Sequence, residues 1–272
     1  MQADEEQPFI TDLELTERAF FDQTLLATEY VQRHRTGYLK TRHTPFLNPH
    51  RSYRRLLHNL SAIFDHDANH ARSYAKRLKA QTLDWKACES VFAELIVYYS
   101  HLALVHEGHV RSLELEGDEC DLIVHRSDGT KAFLEVMSLM PDLKQGENGL
   151  VDIRTHTQTA LSSVRQKLLR KTTEQGQLSA QRENWAVIEL NDPRIAGQFT
   201  VLSSLSDGYK VTLNTSTLEI VGEGYDWSRS VFDGPGTDYI KGIVYFDLGN
   251  YADRGVLLNP KYVGGTRRAN AP

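Results

Sequence analysis

The chain has 272 residues, 40% of them apolar and 25% charged, the proportions of an ordinary globular protein with one large domain or a core and an extension. It has no run of about 18 apolar residues to suggest a membrane span, and its acidic start, MQADEEQPF, lacks the apolar stretch of a secretory signal. The net charge of −5 argues against a protein that simply coats nucleic acid, and two cysteines, Cys88 and Cys120, are too few for a disulfide framework or zinc knuckle, so a reducing, cytoplasmic setting is expected.

Residues 11 to about 80 read as helical, with 3.6-residue apolar periods over 13–31 and 52–64 and a break at the prolines of 44–49. A long helix is expected over 83–106, ending near Gly108. Strands are expected at 110–115, 120–125 and 131–138, the last two joined by Ser127-Asp128-Gly129, where glycine accepts a left-handed turn position. A loop with Pro141, Gly146 and Gly149 leads to a helix over 152–175, then to an almost wholly apolar strand at 185–190. Asp192-Pro193 reads as a further helix start, and strands are expected at 210–213, 217–221, 240–246 and 255–258. Gly222-Glu-Gly224 and Gly234-Pro-Gly236 read as loops, Trp85, Trp185 and Trp227 as core or edge packing, and His106-Glu107-Gly108-His109 as a helix end. The expected fold is α/β: helix, a three-stranded antiparallel or mixed sheet, helix, strand. It divides into a helical N-terminal region over 1–82, the α/β core and its elaboration of the same sheet over 83–263, and a basic, frayed tail over 264–272.

Charge is unevenly distributed. Between Tyr30 and Phe64 there is no Asp or Glu, while Arg33, Arg35, Lys40, Arg42, Arg51, Arg54 and Arg55 occur there with four histidines. A second basic run comprises Arg154, Arg165, Lys167, Arg170 and Lys171. Such stretches suit a phosphate backbone; the bland alternative is a solvated helix face.

Two features carry chemistry. From Ser90 to Val105 the only formally charged residue is Glu94, on a helix apolar nearly all round. A buried carboxylate needs a cationic partner, either an internal arginine or a metal ion. The hairpin adds a second constraint. With its turn at Asp128, facing residues have numbers summing to about 256, which sets Asp121 opposite Glu135 on one face of the sheet. Two like charges so placed repel unless something positive lies between them, and a divalent cation with oxygen ligands is one solution; two solvated carboxylates on an exposed face are the alternative. Leu122, Val124, Leu134 and Val136 would pack the opposite face.

These residues resemble the PD-(D/E)XK, restriction-endonuclease-like nuclease superfamily over about residues 85–190: an acidic residue on a first helix (Glu94), an aspartate at a strand start (Asp121), then Glu135-Val136-Met137 on the next strand. The resemblance implies an α/β nuclease core that cleaves DNA, rather than RNA, with Mg²⁺ or Mn²⁺, in defence against foreign DNA or in DNA processing. It implies that Asp121, Glu135 and the Val136 carbonyl hold the metal, with Glu94 directly or through water. It further implies that Arg42, Arg51, Arg54, Arg55, Arg154, Gln158 and Arg165 contact nucleic acid. The family's lysine is replaced by Met137, which can neither polarise water nor neutralise phosphate. Three explanations stand: Lys167 or Lys171 on the next helix has taken over, the methionine was introduced to trap an inactive enzyme, or the chain is a non-cleaving relative that binds nucleic acid or protein. A homodimer is compatible with two-strand cutting; no membrane partner is expected.

Overall fold

The least polar stretch of the chain forms its central helix. In a computed structural model describing residues 53–80, 85–115, 120–139, 165–171, 182–191, 202–203, 205–206, 208–233, 237–247 and 249–263, the described helices are α1 (Tyr53–His66), α2 (Ala68–Ala80) and α3 (Trp85–His106). Every residue from Val91 to Tyr98 is buried, because α3 lies between α1 and α2 on one side and the sheet on the other. The segment Ala87–His106 is long and apolar enough by composition to cross a membrane, and here that apolar surface is taken up largely by protein contacts. The helix stops where expected. Gly108 is left-handed (φ 76°), its N–H donates to the Val105 carbonyl at 3.1 Å, and the His109 N–H reaches back to the Leu104 carbonyl at 3.0 Å, the paired bonds of a Schellman cap.

The sheet runs β1 (Val110–Glu114), β2 (Leu122–Arg126), β3 (Lys131–Leu139), β4 (Asn184–Leu190), β7 (Ile240–Asp247), β8 (Asn250–Leu258) in spatial order. β1, β2 and β3 are antiparallel neighbours, β3, β4 and β7 are parallel, and β8 returns antiparallel along β7. The architecture is therefore mixed α/β. Alternation along the strands separates two cores. Ala132, Leu134 and Val136 of β3 join Leu122, Val124, Val187 and the helices α1–α3 in one. Met137 and Leu139 face the other way, into a core with Leu168, Ile188, Phe232 and Tyr245. Helices α1 and α2 share their core with α3 and the sheet.

Three expectations need correction. The strands β5 (Tyr209–Leu213) and β6 (Ile220–Tyr225) form their own two-stranded ribbon instead of extending the main sheet. The strand expected at 217–221 starts later, because residues 214–219 form the turn: the Asn214 side chain accepts from the Ser216 and Thr217 N–H groups, and Leu218 is left-handed (φ 58°). Gly222 and Gly224, read as loop residues, lie inside β6, where they face Thr212 and Lys210. The Trp227 ring is exposed. The segments at 13–31, 44–49 and 192–200, the tail over 264–272 and Gly234-Pro-Gly236 lie outside the described residues.

The β2–β3 turn is built as its residues dictate. Gly129 (φ 85°) donates to the Arg126 carbonyl at 3.1 Å, and the Asp128 carboxylate accepts from the Thr130 N–H at 2.8 Å and hydroxyl at 2.6 Å. A Cβ at Gly129 or Gly224 would meet nothing within 4 Å, but only Gly129 has positive φ. Gly129→Ala is therefore expected to lower stability by about 1 kcal/mol through backbone strain alone, and Gly224→Ala to leave it unchanged or raise it slightly. Equal urea midpoints for the two variants would contradict this reading of the turn.

Candidate active site

The β2–β3 ladder pairs Leu122 with Leu134, Ile123 with Phe133, Val124 with Ala132 and His125 with Lys131, so each pair sums to 256 as the turn requires. One step further, the Asp121 N–H donates to the Leu134 carbonyl at 3.1 Å, and the Asp121 carboxylate accepts the Val136 N–H at 2.7 Å. The side chain of Asp121 thus takes over the N–H of β3 where the strand pairing ends. This places it within hydrogen-bonding reach of the Glu135 carboxyl. Glu135 is 1% exposed; one of its oxygens receives the Lys171 ammonium, and the other, Oε2, is buried with no hydrogen-bond partner assigned among the described residues.

Lys171 comes from the helical segment 165–171, which ends in a π turn at residues 170–171. Leu168, 1% exposed, anchors that segment in the same core as Met137. One turn before Lys171, Lys167 donates to the Ser138 carbonyl at 2.7 Å. The Ser138 hydroxyl in turn donates to the buried Glu189 at 2.8 Å. Met137 itself is a core residue, 5% exposed. The position read as the missing lysine is filled by packing, while an ammonium arrives at Glu135 from the following helix.

Glu94 has the arginine partner that its burial called for. Arg77 of α2 grips both of its oxygens, with Nη2 donating to Oε1 at 2.7 Å. The Tyr74 hydroxyl, one helical turn before Arg77, is buried without a partner among the described residues, and its ring lies 5.9 Å from the guanidinium. Among the described residues no three His, Cys, Asp or Glu side chains converge in an arrangement that could hold a metal ion. Two carboxylates face each other, and the third faces a guanidinium.

The electrostatics follow from three carboxylates meeting two cations in a buried volume. Burial, and after it the charge of Asp121, raises the Glu94 carboxyl to about 8 despite Arg77. The same two causes in the same order raise Glu135 to about 7 against the pull of Lys171. Burial also raises Asp121, which the Val136 N–H, Lys171 and Arg77 counteract. The two-pronged Arg77 contact is geometry for an ionised carboxylate, so the proton retained near neutral pH belongs between Asp121 and Glu135.

The Asp121–Glu135 pair passes the chemical test for a divalent ion. It offers hard oxygen donors, one of them orphaned, and Mg²⁺ is commonly held by only one or two carboxylates together with substrate phosphates. Glu94 is already engaged. Of the residues expected to contact nucleic acid, Arg55 is exposed on α1, and Arg165 donates to the Ser206 carbonyl at 2.9 Å. Arg54 lies in α1. Arg42, Arg51, Arg154 and Gln158 lie outside the described residues. Arg77, Tyr74, Ser138 and Glu189 were not anticipated. The need of Glu94 for a cation pointed to some arginine, but α2 also carries Arg72 and Lys76, and nothing in the local pattern selects Arg77. No family model matches the chain, and neither does any curated protein or solved structure.

Removing Arg77 strands a buried charge. Arg77→Leu is expected to cost about 3 kcal/mol, the low end for a buried pair because Arg77 is 38% exposed. The double variant with Glu94→Leu should recover most of that loss, and additive losses in a double-mutant cycle would show that the pair is not coupled.

Acid–base linkage gives a second test. The Asp121–Glu135 pair binds its proton more tightly folded than unfolded, so its contribution to stability is complete below the ordinary value of 4.5 and is lost as pH rises through about 7. In EDTA the melting temperature should fall between about pH 5 and pH 8, less steeply in Glu135→Gln. Mg²⁺ should raise it more at the upper end of that range, since the ion favours the deprotonated pair. A pH-independent Mg²⁺ effect would separate the ion from these carboxylates.

Proposed function

We propose that the chain is a Mg²⁺-dependent nuclease of the restriction-endonuclease-like kind, acting on DNA. The observation that carries this reading is the Asp121–Glu135 pair at the end of the β2–β3 hairpin, with the Lys171 ammonium on the motif glutamate. The order α3, β1, β2, β3, helical segment, β4, with two antiparallel pairings followed by a parallel one, supports it. In this reading Asp121 and Glu135 hold the ion. A bound Mg²⁺ would lower the pKa of a water ligand and offset charge on the scissile phosphate. Lys171 supplies the fixed positive charge that the motif lysine would otherwise provide, aimed where negative charge builds up on the attacked phosphate. Arg77 keeps Glu94 ionised and directed, and the hydrogen bond from Lys167 to the Ser138 carbonyl fixes the helix that carries Lys171.

A second reading has its own observation. Arg77 and Lys171 already neutralise much of the cluster without a metal, as they would in a non-cleaving nucleic-acid-binding or protein-interaction module. Cleavage of plasmid DNA with Mg²⁺ separates the two. The nuclease reading expects cleavage by the chain as written and none by Glu135→Ala. It expects a loss on the order of 10²–10³ in Lys171→Met, and no gain in Met137→Lys, because that side chain is packed in the core. Absence of cleavage of duplex DNA, single-stranded DNA and RNA, with Mg²⁺ or Mn²⁺, would leave the binding module as the better account.

A further inference from the structure

On the α3 side of the sheet, opposite Glu135 by strand alternation, an open groove of about 280 Å³ lies between the end of α3 and the strands. Its floor is apolar, with Val124, Leu134 and Val244 among its residues, and Val256 at its β8 side is 53% exposed. Its described lining contains two arginines and two histidines and no Asp or Glu, although His109 lies 3.9 Å from Glu107 beside it. The two arginines differ. Arg126 is already paired with Glu183. Arg254 lies over the Tyr251 ring at 4.9 Å and donates to the Tyr251 carbonyl at 3.3 Å, but among the described residues it has no carboxylate partner. His101 meets the same Tyr251 ring at 5.9 Å, and its Nδ1–H is committed to the Val97 carbonyl at 2.7 Å. The aromatic ring thus holds a guanidinium and an imidazole at one end of an apolar channel.

We propose that this groove binds a small amphipathic anion, an alkyl or aryl body ending in one carboxylate, sulfonate or phosphate, with its head on Arg254 beside His101. The Arg254 guanidinium, without a carboxylate partner among the described residues, selects the charge, and the apolar floor selects the body. The apolar floor and the limited volume favour a free molecule over a phosphodiester backbone or a bilayer surface, neither of which buries an apolar chain in a groove this small. The site is independent of the carboxylate cluster and of the nuclease reading.

Calorimetric titration of the full chain with octanoate, octylamine and octan-1-ol tests it. Octanoate should bind and octylamine should not, with octan-1-ol at least about tenfold weaker than octanoate, the value of a charge-assisted hydrogen bond. Arg254→Gln should weaken octanoate binding by about tenfold, while Arg254→Lys, which keeps the charge, should lose less. Arg254 is exposed on an edge strand, so both variants should melt with the parent chain. Equal affinity for octanoate and octan-1-ol, or octanoate binding indifferent to Arg254→Gln, would overturn the proposal. So would binding of duplex DNA or phosphatidylglycerol vesicles with no response to octanoate.

Discussion

Three buried carboxylates, Asp121 and Glu135 facing each other and Glu94 held by Arg77, are the constraint around which this molecule is arranged. Each would lose several kcal/mol on leaving water without a partner, and each also repels the other two. Two cations answer them from opposite sides of the chain order, Arg77 from the helices before the sheet and Lys171 from the helix after β3. The cluster therefore ties the N-terminal helices, the hairpin and the later helical segment to one point. It remains one positive charge short; burial raises all three carboxyls, and the charge of Asp121 raises Glu94 and Glu135 further.

Helix α3 makes this arrangement affordable. Every residue of its middle, Val91–Tyr98, is buried, so Glu94 sits at mid-helix among covered neighbours. Its Schellman cap turns the chain directly into β1, and β1 leads into the hairpin through a short connection. Strand alternation does the rest. Even-numbered positions of β3 seal against α3, and Glu135 and Met137 face the core that seats the lysine-bearing segment.

Much of this could be read from residue order because it depends on local rules. The turn glycine at 129 set the register, the register set Asp121 against Glu135, and the apolar run around Glu94 announced a buried helix in need of a cation. Lys167 and Lys171 were legible as alternatives because their spacing puts them on one face of a helix that follows the motif strand. Arg77 was not legible. Its contact joins two separate helices, and α2 carries several cations whose facing is decided only by tertiary packing. The β5–β6 ribbon failed for the opposite reason. Glycine is a poor strand residue, yet Gly222 and Gly224 sit where an exposed two-stranded ribbon needs no side chain to pack.

Met137 and Lys171 are better understood together than as a loss and a coincidence. A lysine at 137 would point the way Met137 points, into the apolar core that also holds Leu168. A thioether there fills the core without a charge to solvate. The same packing holds the helical segment close enough for Lys171 to arrive from outside the sheet, where it is 23% exposed and its ammonium keeps part of its hydration. A positive charge thus reaches Glu135 from a partly exposed side chain, and the apolar residue at 137 belongs to the core that positions the segment carrying it.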